Sequence, residues 1–402
     1  MAFKQMPNNW DLLKLADVAE VKYGKAKPKE IGKIPVIGSG GIYGHTENAL
    51  IDFPTIIIGR KGTAGLAWLQ EQPCWPSDTT FYLNWKNEKI DYNYLYYYLK
   101  GHPLSGQHAR TTLPSLLKQD LENYSLFVPP IPEQRAIARA LHAVQGAREA
   151  RLREMALEKE RKAALMEHLF THGTRGEATK MTEIGEMPES WDVVELSNLC
   201  IERQGFIQTG PFGSQLHSSD YRKCGIPVVN PTHLGYNTIN EEHLPFIDKK
   251  DADRLSKHYL IKGDILISRR GDFKRYSYIT DHQSGWLCGT GCILIRVNNP
   301  NVDNYFLSVL MGHNLIQNYF DLNSVGSIMP NLNTKILLGL PIILPHIEEQ
   351  RMIASVLRAC DSKIAALDHE ACLHDELFRA MLEELMSGRL PAGTLVEDAA
   401  QS

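Results

Sequence analysis

The sequence predicts an α+β fold: two similar mixed α/β domains joined by two long antiparallel helices that pair as a coiled coil, an internal repeat of pseudo-twofold character. Three observations predict it. A helix-start motif occurs twice, as Pro129-Pro130-Ile131-Pro132-Glu133-Gln134-Arg135-Ala136-Ile137-Ala138 and as Pro345-His346-Ile347-Glu348-Glu349-Gln350-Arg351-Met352-Ile353-Ala354. Each copy runs a proline-bearing strand end into a helix whose first turn carries a glutamate, where the helix dipole favours negative charge. Each then opens a periodic segment of about ten turns, roughly 55 Å at the α-helical rise. Third, a series of shorter segments recurs in the same order in both halves.

Those segments are spread along the chain. Met6-Pro7…Trp10-Asp11…Leu15 returns as Met187-Pro188…Trp191-Asp192…Leu196, and Ile34-Pro35-Val36 as Ile226-Pro227-Val228. Ile56-Ile57-Ile58-Gly59-Arg60-Lys61-Gly62 returns as Ile265-Leu266-Ile267-Ser268-Arg269-Arg270-Gly271. Asn93-Tyr94…Gly101-His102 returns as Asn304-Tyr305…Gly312-His313, and Leu113-Pro114-Ser115-Leu116 as Met329-Pro330-Asn331-Leu332. The offset drifts between matches, as insertions in surface loops produce.

In order, residues 1–132 form the first globular domain, with short β-rich runs (Thr55–Ile58, Thr80–Leu83, Leu126–Val128), Gly/Pro turns and an aromatic helical segment, Tyr92 to Lys100. Tyr94 to Tyr98 read as core rather than as a stacking platform. Gly38-Ser39-Gly40-Gly41-Ile42-Tyr43-Gly44 reads as a tight turn: Tyr43 stands where a dinucleotide fingerprint needs Gly, and no helix pattern follows. Residues 133–172 form the central helix. Its seam (Ile137, Leu141, Val144, Met155, Leu165, Leu169) is apolar at both ends and charged in the middle at Arg148, Arg151, Glu158 and Lys162.

Residues 173–345 hold a linker and the second domain, with longer loops that include Gly210-Pro211-Phe212-Gly213-Ser214-Gln215-Leu216 and Arg269 to Tyr276. Residues 346–388 form the distal helix. Its seam (Ile353, Leu357, Cys360, Ile364, Leu367, Ala371, His374, Phe378, Met381, Leu385) alternates spacings of four and three, a heptad pattern with one polar member, His374. Each long helix has one apolar stripe, and pairing the two buries both. The tail, 389–402, then ends near the chain's start. The charged middle leaves two readings open: polar pairing there, or a face turned to a partner.

Composition bounds the function. A chain of 402 residues suits two domains plus extended helices, and 43% hydrophobic content is that of a soluble globular protein. No apolar run approaches the ~18 residues of a membrane span, and the first residues lack a signal peptide's apolar core. The seven cysteines, without CxxC spacing, are expected to be reduced thiols of a cytoplasmic protein. The net charge of −4 is divided unevenly. Residues 133–180 carry ten Lys/Arg against seven Asp/Glu, while 346–402 carry five against eleven, so the two helical regions have opposite signs and are expected to pair. Any nucleic-acid contact must come from local basic loops on nearly neutral domains.

No catalytic set is visible: no GxxxxGK[ST], no HExxH and no nuclease-type acid–Lys set. Phe127-Val128-Pro129-Pro130-Ile131 lacks both the Asp/Asn and the aromatic of an adenine methyltransferase loop. No metal site is expected. What remains is basic and amide side chains on loops. The candidates for DNA contact are Ser39, Arg60, Lys61, Gln215, Arg269, Arg270, Lys274 and Arg275. A strand-end basic pair followed by Gly lets side chains reach a groove while the backbone approaches phosphate. Arginine reads guanine edges bidentately and Gln reads adenine, with phosphate contact expected for Lys61.

The duplicated Glu-Gln-Arg helix starts, the Ile-Pro-Val and Gly-Pro-Phe-Gly-Ser segments, Gly263–Ser268 and the two long helices together resemble the specificity subunit of type I restriction–modification enzymes, over essentially the whole chain. The resemblance implies that each globular domain is a target recognition domain reading one half of a bipartite, asymmetric site in double-stranded DNA. It implies that the helix pair sets the unread spacer and docks two modification subunits, which methylate adenine with S-adenosylmethionine. Motor-nuclease subunits using ATP and Mg2+ complete the complex, the chain itself binds no cofactor and is not catalytic, and the setting is a bacterial or archaeal cytoplasm. The alternatives are a coiled-coil scaffold with two adaptor domains and no DNA role, and a self-sufficient methyltransferase or nuclease.

Overall fold

The computed structural model describes residues 7, 9–104, 115–201, 205–324 and 331–392. The Leu113-Pro114 and Met329-Pro330 parts of the last repeat, and 393–402 of the tail, lie outside the described residues. The chain divides into two compact units, Met1–Glu154 with Leu367–Ser402, and Met155–Ala366.

In the first unit a four-stranded antiparallel sheet runs in the spatial order Ala19–Tyr23, Thr80–Trp85, Thr55–Gly59, Ala67–Gln70. All five residues of Thr55–Gly59 are buried, as a strand covered on both faces must be. Ile56 and Ile58 join the core of Val21, Phe81 and Leu83. Ile57 points the other way, to Ile37, Ile51 and Cys74. A hairpin of Ile34–Gly38 and Gly41–Thr46 turns at Ser39-Gly40, and Trp75–Pro76 lies parallel to its first strand. The helix Tyr92–Gly101 is capped by Asp91, which accepts from the backbone of Asn93 and Tyr94, and buries Tyr94, Tyr97 and Tyr98 in the core.

The second unit repeats this order. Phe206–Thr209, Cys292–Arg296, Ile265–Ser268 and Tyr276–Tyr278 form the matching antiparallel sheet. Ile265 and Ile267 face one core and Leu266 the other. Val228 and Val229 pair in parallel with Leu287 and Cys288 as Val36 and Ile37 pair with Trp75 and Pro76. Asp303 caps the helix Asn304–Met311. The second unit also holds a hairpin of Thr179–Thr182 with Gly185–Pro188, which has no counterpart among the described residues of the first.

The central helix spans Ile131–His172 and the distal helix Ile347–Met386. Within the first unit Ile137 and Leu141 share a core with Leu385 and Met386, with Phe378 and Met381 packed against it. Within the second, Leu169 and Phe170 meet Ile353, Ala354 and Leu357, with Leu165 packed against them. Cys360, Leu367 and Ala371 are also buried, whereas Val144, Ile364 and His374 are half-buried. The charged middle pairs by charge. Arg148 meets Asp375 at 3.3 Å and Arg151 meets Glu370 at 2.9 Å, advancing along one helix as they recede along the other, which is an antiparallel register. In the second unit Lys162 pairs with Asp361, which also accepts from the Tyr305 hydroxyl, and Lys363 approaches the buried Glu158 at 3.7 Å. Of the two readings the sequence leaves open, polar pairing is the one found.

The duplicated Glu-Gln-Arg has a physical cause that neither dipole nor propensity supplies. Gln134 is fully buried; its amide donates to the carbonyls of Lys89 (2.9 Å) and Pro129 (2.8 Å) and accepts from Asp91 N–H at 2.7 Å. Gln350 does the same with Asn301 (2.9 Å), Pro345 (2.8 Å) and Asp303 N–H (2.9 Å). Each glutamine therefore ties the residue that caps the domain's helix to the first turn of the long helix. The neighbouring glutamate receives an indole: Trp10 Nε1 lies 3.3 Å from Glu133, and Trp191 Nε1 3.2 Å from Glu349. Glu349, wholly buried, also accepts from the Thr174 backbone and hydroxyl, with Arg175 at 3.5 Å. The helix-ending glycines Gly173 and Gly388 are left-handed (φ +65° and +67°), and a Cβ on them would strike Pro188 at 3.1 Å and Pro7 at 2.5 Å.

The described cysteines are all free; Cys74, Cys200, Cys288, Cys292 and Cys360 are buried, while Cys224 and Cys372 are exposed.

Two expectations follow from this packing. Gln350→Ala strands a buried N–H and two carbonyls and is expected to cost about 1–3 kcal/mol. Arg351→Ala, which among the described residues loses an exposed pair with Glu348, is expected to cost at most about 1 kcal/mol. The shift in urea midpoint at constant m separates them. His258 is buried with neither ring nitrogen hydrogen-bonded among the described residues. Burial, reinforced by the Lys257 charge, pushes its pKa from 6.5 down to about 4. The unfolded chain therefore takes up this proton first, and stability falls as the pH drops from 6.5 to about 4. His258→Leu should flatten that part of the stability–pH curve measured by denaturant titration; an unchanged slope refutes the assignment.

Candidate nucleic-acid interface

Both central strands end in a basic residue pair followed by a left-handed glycine. In the first domain Thr55–Gly59 runs into Arg60-Lys61-Gly62, with Gly62 at φ +76°. Arg60 N–H donates to the Thr79 carbonyl at 2.8 Å, the Arg60 carbonyl accepts from Leu116 N–H at 2.9 Å, and Lys61 bridges to Ser115. The guanidinium lies over Tyr23, with Cζ 5.2 Å from the ring centroid, and 6.0 Å from that of Phe81. Lys118 Nζ reaches the same Tyr23 ring at 5.9 Å. Ser39, on the hairpin turn, donates its N–H to Thr79 Oγ1 at 3.2 Å, and a Cβ at Gly62 would touch its hydroxyl at 3.5 Å. Ser39, Arg60 and Lys61 thus come together, with Lys61 exposed.

In the second domain Ile265–Ser268 runs into Arg269-Arg270-Gly271, with Gly271 at φ +77°. Arg269 N–H donates to the Gly291 carbonyl at 2.8 Å, the Arg269 carbonyl accepts from Leu332 N–H at 2.9 Å, and Arg270 bridges to Asn331. Arg269 Cζ lies 5.5 Å from the ring centroid of Phe212, an exposed side chain. The loop beyond is pinned by Phe273, buried against Phe320, which leaves Arg270, Lys274 and Arg275 exposed. Asp272 accepts from Lys274 N–H at 3.0 Å and sits 3.5 Å from the Arg275 guanidinium. Tyr236, also exposed, pairs alongside Tyr276 at the loop's end.

Gln215 differs from the other candidates. Its side-chain Oε1 accepts from Phe212 N–H at 3.1 Å and its main-chain N–H donates to the Phe212 carbonyl at 2.7 Å, so it closes the turn that presents Phe212. Tyr23, Thr79 and Lys118 in the first domain, and Phe212, Tyr236 and Asn331 in the second, belong to these clusters without having been singled out by sequence. Phe212 was legible only as part of the Gly-Pro-Phe-Gly segment. No sequence motif marks Tyr23. Arg60 Nε and Arg269 Nε are buried without hydrogen-bond partners among the described residues.

Among the described residues no group of three or more His, Cys, Asp or Glu is placed to hold a metal ion. No helix among them is long and apolar enough to cross a membrane. What each cluster offers is fixed positive charge beside a partly exposed aromatic ring, the chemistry that contacts nucleic-acid backbones and base edges.

Comparison with known proteins agrees. Residues 7–157 and 188–370 match the family model of the type I restriction modification DNA specificity domain. The chain belongs to this family, and the domain occurs in it twice. It is 25% identical over 342 residues to the type I restriction enzyme MjaVIII specificity subunit of Methanocaldococcus jannaschii, covering 83% of this chain and 76% of that one. It is 26% identical over 212 residues to the putative MjaX specificity subunit of the same organism, covering 52% and 48%. The fold is that of the S subunit of a type I restriction-modification system from M. genitalium (TM-score 0.66, 17% identity, covering 95% of this chain and 98% of that one). It is also that of a chain from a structural study of type I R-M complex assembly and conformational transition (TM-score 0.53, 15% identity, covering 96% and 100%). The role that this family defines is DNA sequence specificity, and nothing in the comparisons favours the adaptor reading.

Proposed function

We propose that each of the two domains reads one half of a bipartite, asymmetric site in double-stranded DNA, and that the paired helices set the length of the unread spacer. The observation that carries this reading is the basic strand end built twice on one framework with different surroundings. In the first domain Lys61 and Ser39 flank the arginine; in the second Arg270, Lys274 and Arg275 do. Different surroundings on one frame favour different half-sites.

The helix pair is also the docking surface for two modification subunits. Met352 and Val356, and Leu373 and Leu377, are exposed apolar pairs at i,i+4 spacing on the distal helix, which supports a partner there. In this reading the chain selects sequence and performs no chemistry. S-adenosylmethionine serves the modification subunits, ATP and Mg2+ serve the restriction motor-nuclease subunits, and the complex works in the cytoplasm.

The ruler is tested by removing one heptad from each long helix, about 10 Å of rise, or roughly three base pairs of duplex. Mapping N6-methyladenine genome-wide in cells carrying that variant should show both half-sites unchanged and the spacer shortened. Loss of one half-site with the spacer length kept would contradict the ruler.

A further inference from the structure

The two domains set one arginine in the same frame although little around it is shared. Arg60 and Arg269 each directly follow the fully buried central strand. Each has its N–H bound to a carbonyl across the sheet at 2.8 Å, and its own carbonyl bound by the N–H of a leucine, Leu116 or Leu332, at 2.9 Å. Each guanidinium is laid over a ring, at 5.2 Å for Tyr23 and 5.5 Å for Phe212. The rings come from the matching edge strand but not from the same position: Tyr23 ends the strand Ala19–Tyr23, whereas Phe212 lies in the loop just beyond Phe206–Thr209. The stacking is therefore reproduced by residues that do not align in the two copies. Each Nε is buried without a hydrogen-bond partner, and among the described residues neither guanidinium is paired with a carboxylate. The neighbours, by contrast, diverge: Lys61 stands against Arg270, and Gly62-Thr63-Ala64 against Gly271-Asp272-Phe273-Lys274-Arg275.

We infer that Arg60 and Arg269 are equivalent phosphate anchors, one for each half-site, and that base choice falls to the diverging neighbours Arg270, Lys274 and Arg275 in the second domain. This rests on the reading that the two domains bind DNA. The physical argument has two parts. A guanidinium covered by a ring and fixed through its backbone on both sides presents its terminal nitrogens in one direction, with little freedom left to lose on binding. A contact that both domains make identically carries no information that tells one half-site from another, and phosphate is the group every duplex step presents alike.

The test uses the full chain purified from its host with the subunits that accompany it. Its probes are a duplex bearing the methylated motif and a scrambled duplex of equal length. Arg60→Gln and Arg269→Gln are each expected to weaken binding to both duplexes by the same factor, about tenfold at 0.1 M salt, and to lower the slope of log K against log salt by about 0.9. The methylated motif should stay unchanged. Arg60→Lys and Arg269→Lys keep the charge and should restore the slope, and they decide the matter if the glutamine variants fail to fold. Arg270→Gln should instead relax the motif at one position of one half-site. A motif that degenerates in the Arg60 or Arg269 variants, with scrambled-duplex binding intact, overturns the anchor assignment alone. A wild-type complex that binds neither duplex overturns the DNA-binding reading beneath it.

Discussion

A single buried glutamine in each half fixes the domain to its helix. Gln134 and Gln350 have no solvent exposure and satisfy three main-chain groups apiece, one of them the N–H of the aspartate that caps the domain's own helix. Buried polar groups cost free energy unless every partner is present, so this arrangement tolerates only one geometry between the domain's helix and the long helix. The indole on the adjacent glutamate adds a second tie from the domain's first segment. Any function that needs the recognition loops at a defined place relative to the helix depends on this junction.

The seam between the long helices serves a different end. Its apolar clusters are shared with each domain, while in the middle the buried Cys360, Leu367 and Ala371 are joined by ion pairs such as Arg148–Asp375 and Arg151–Glu370 between partly exposed side chains. Pairs of this kind contribute little net stability, about 0–1 kcal/mol each, but like-charge misalignment is penalised. They therefore set register more than they set stability. The junctions hold and the middle aligns.

Much of this was legible in the sequence. The duplicated Glu-Gln-Arg, the helical periodicity and the opposite charge of the two helical regions located the helices and their pairing, and the run Tyr94 to Tyr98 read correctly as core. What the glutamines bind was not legible, because two of the three partners of each lie more than forty residues away, at Lys89 and Asp91 and at Asn301 and Asp303. Periodicity reports which face of an element is buried, and it carries nothing about a hydrogen bond closed through a distant loop. The same limit hid Phe212 under Arg269. Nor was it legible that Gln215, a candidate for DNA contact, gives its side-chain carbonyl to the turn that presents Phe212.

The clusters differ where the proposed function needs them to differ. The strand, its left-handed glycine and the stacked arginine recur; the loops around them do not, as expected where a rigid scaffold carries variable contact residues. The most direct measurement is genome-wide mapping of N6-methyladenine in the native host with and without the gene for this chain. The account predicts that one bipartite, asymmetric methylation motif disappears on deletion and returns on complementation. A motif present in the wild type that persists unchanged in the deletion strain would contradict it.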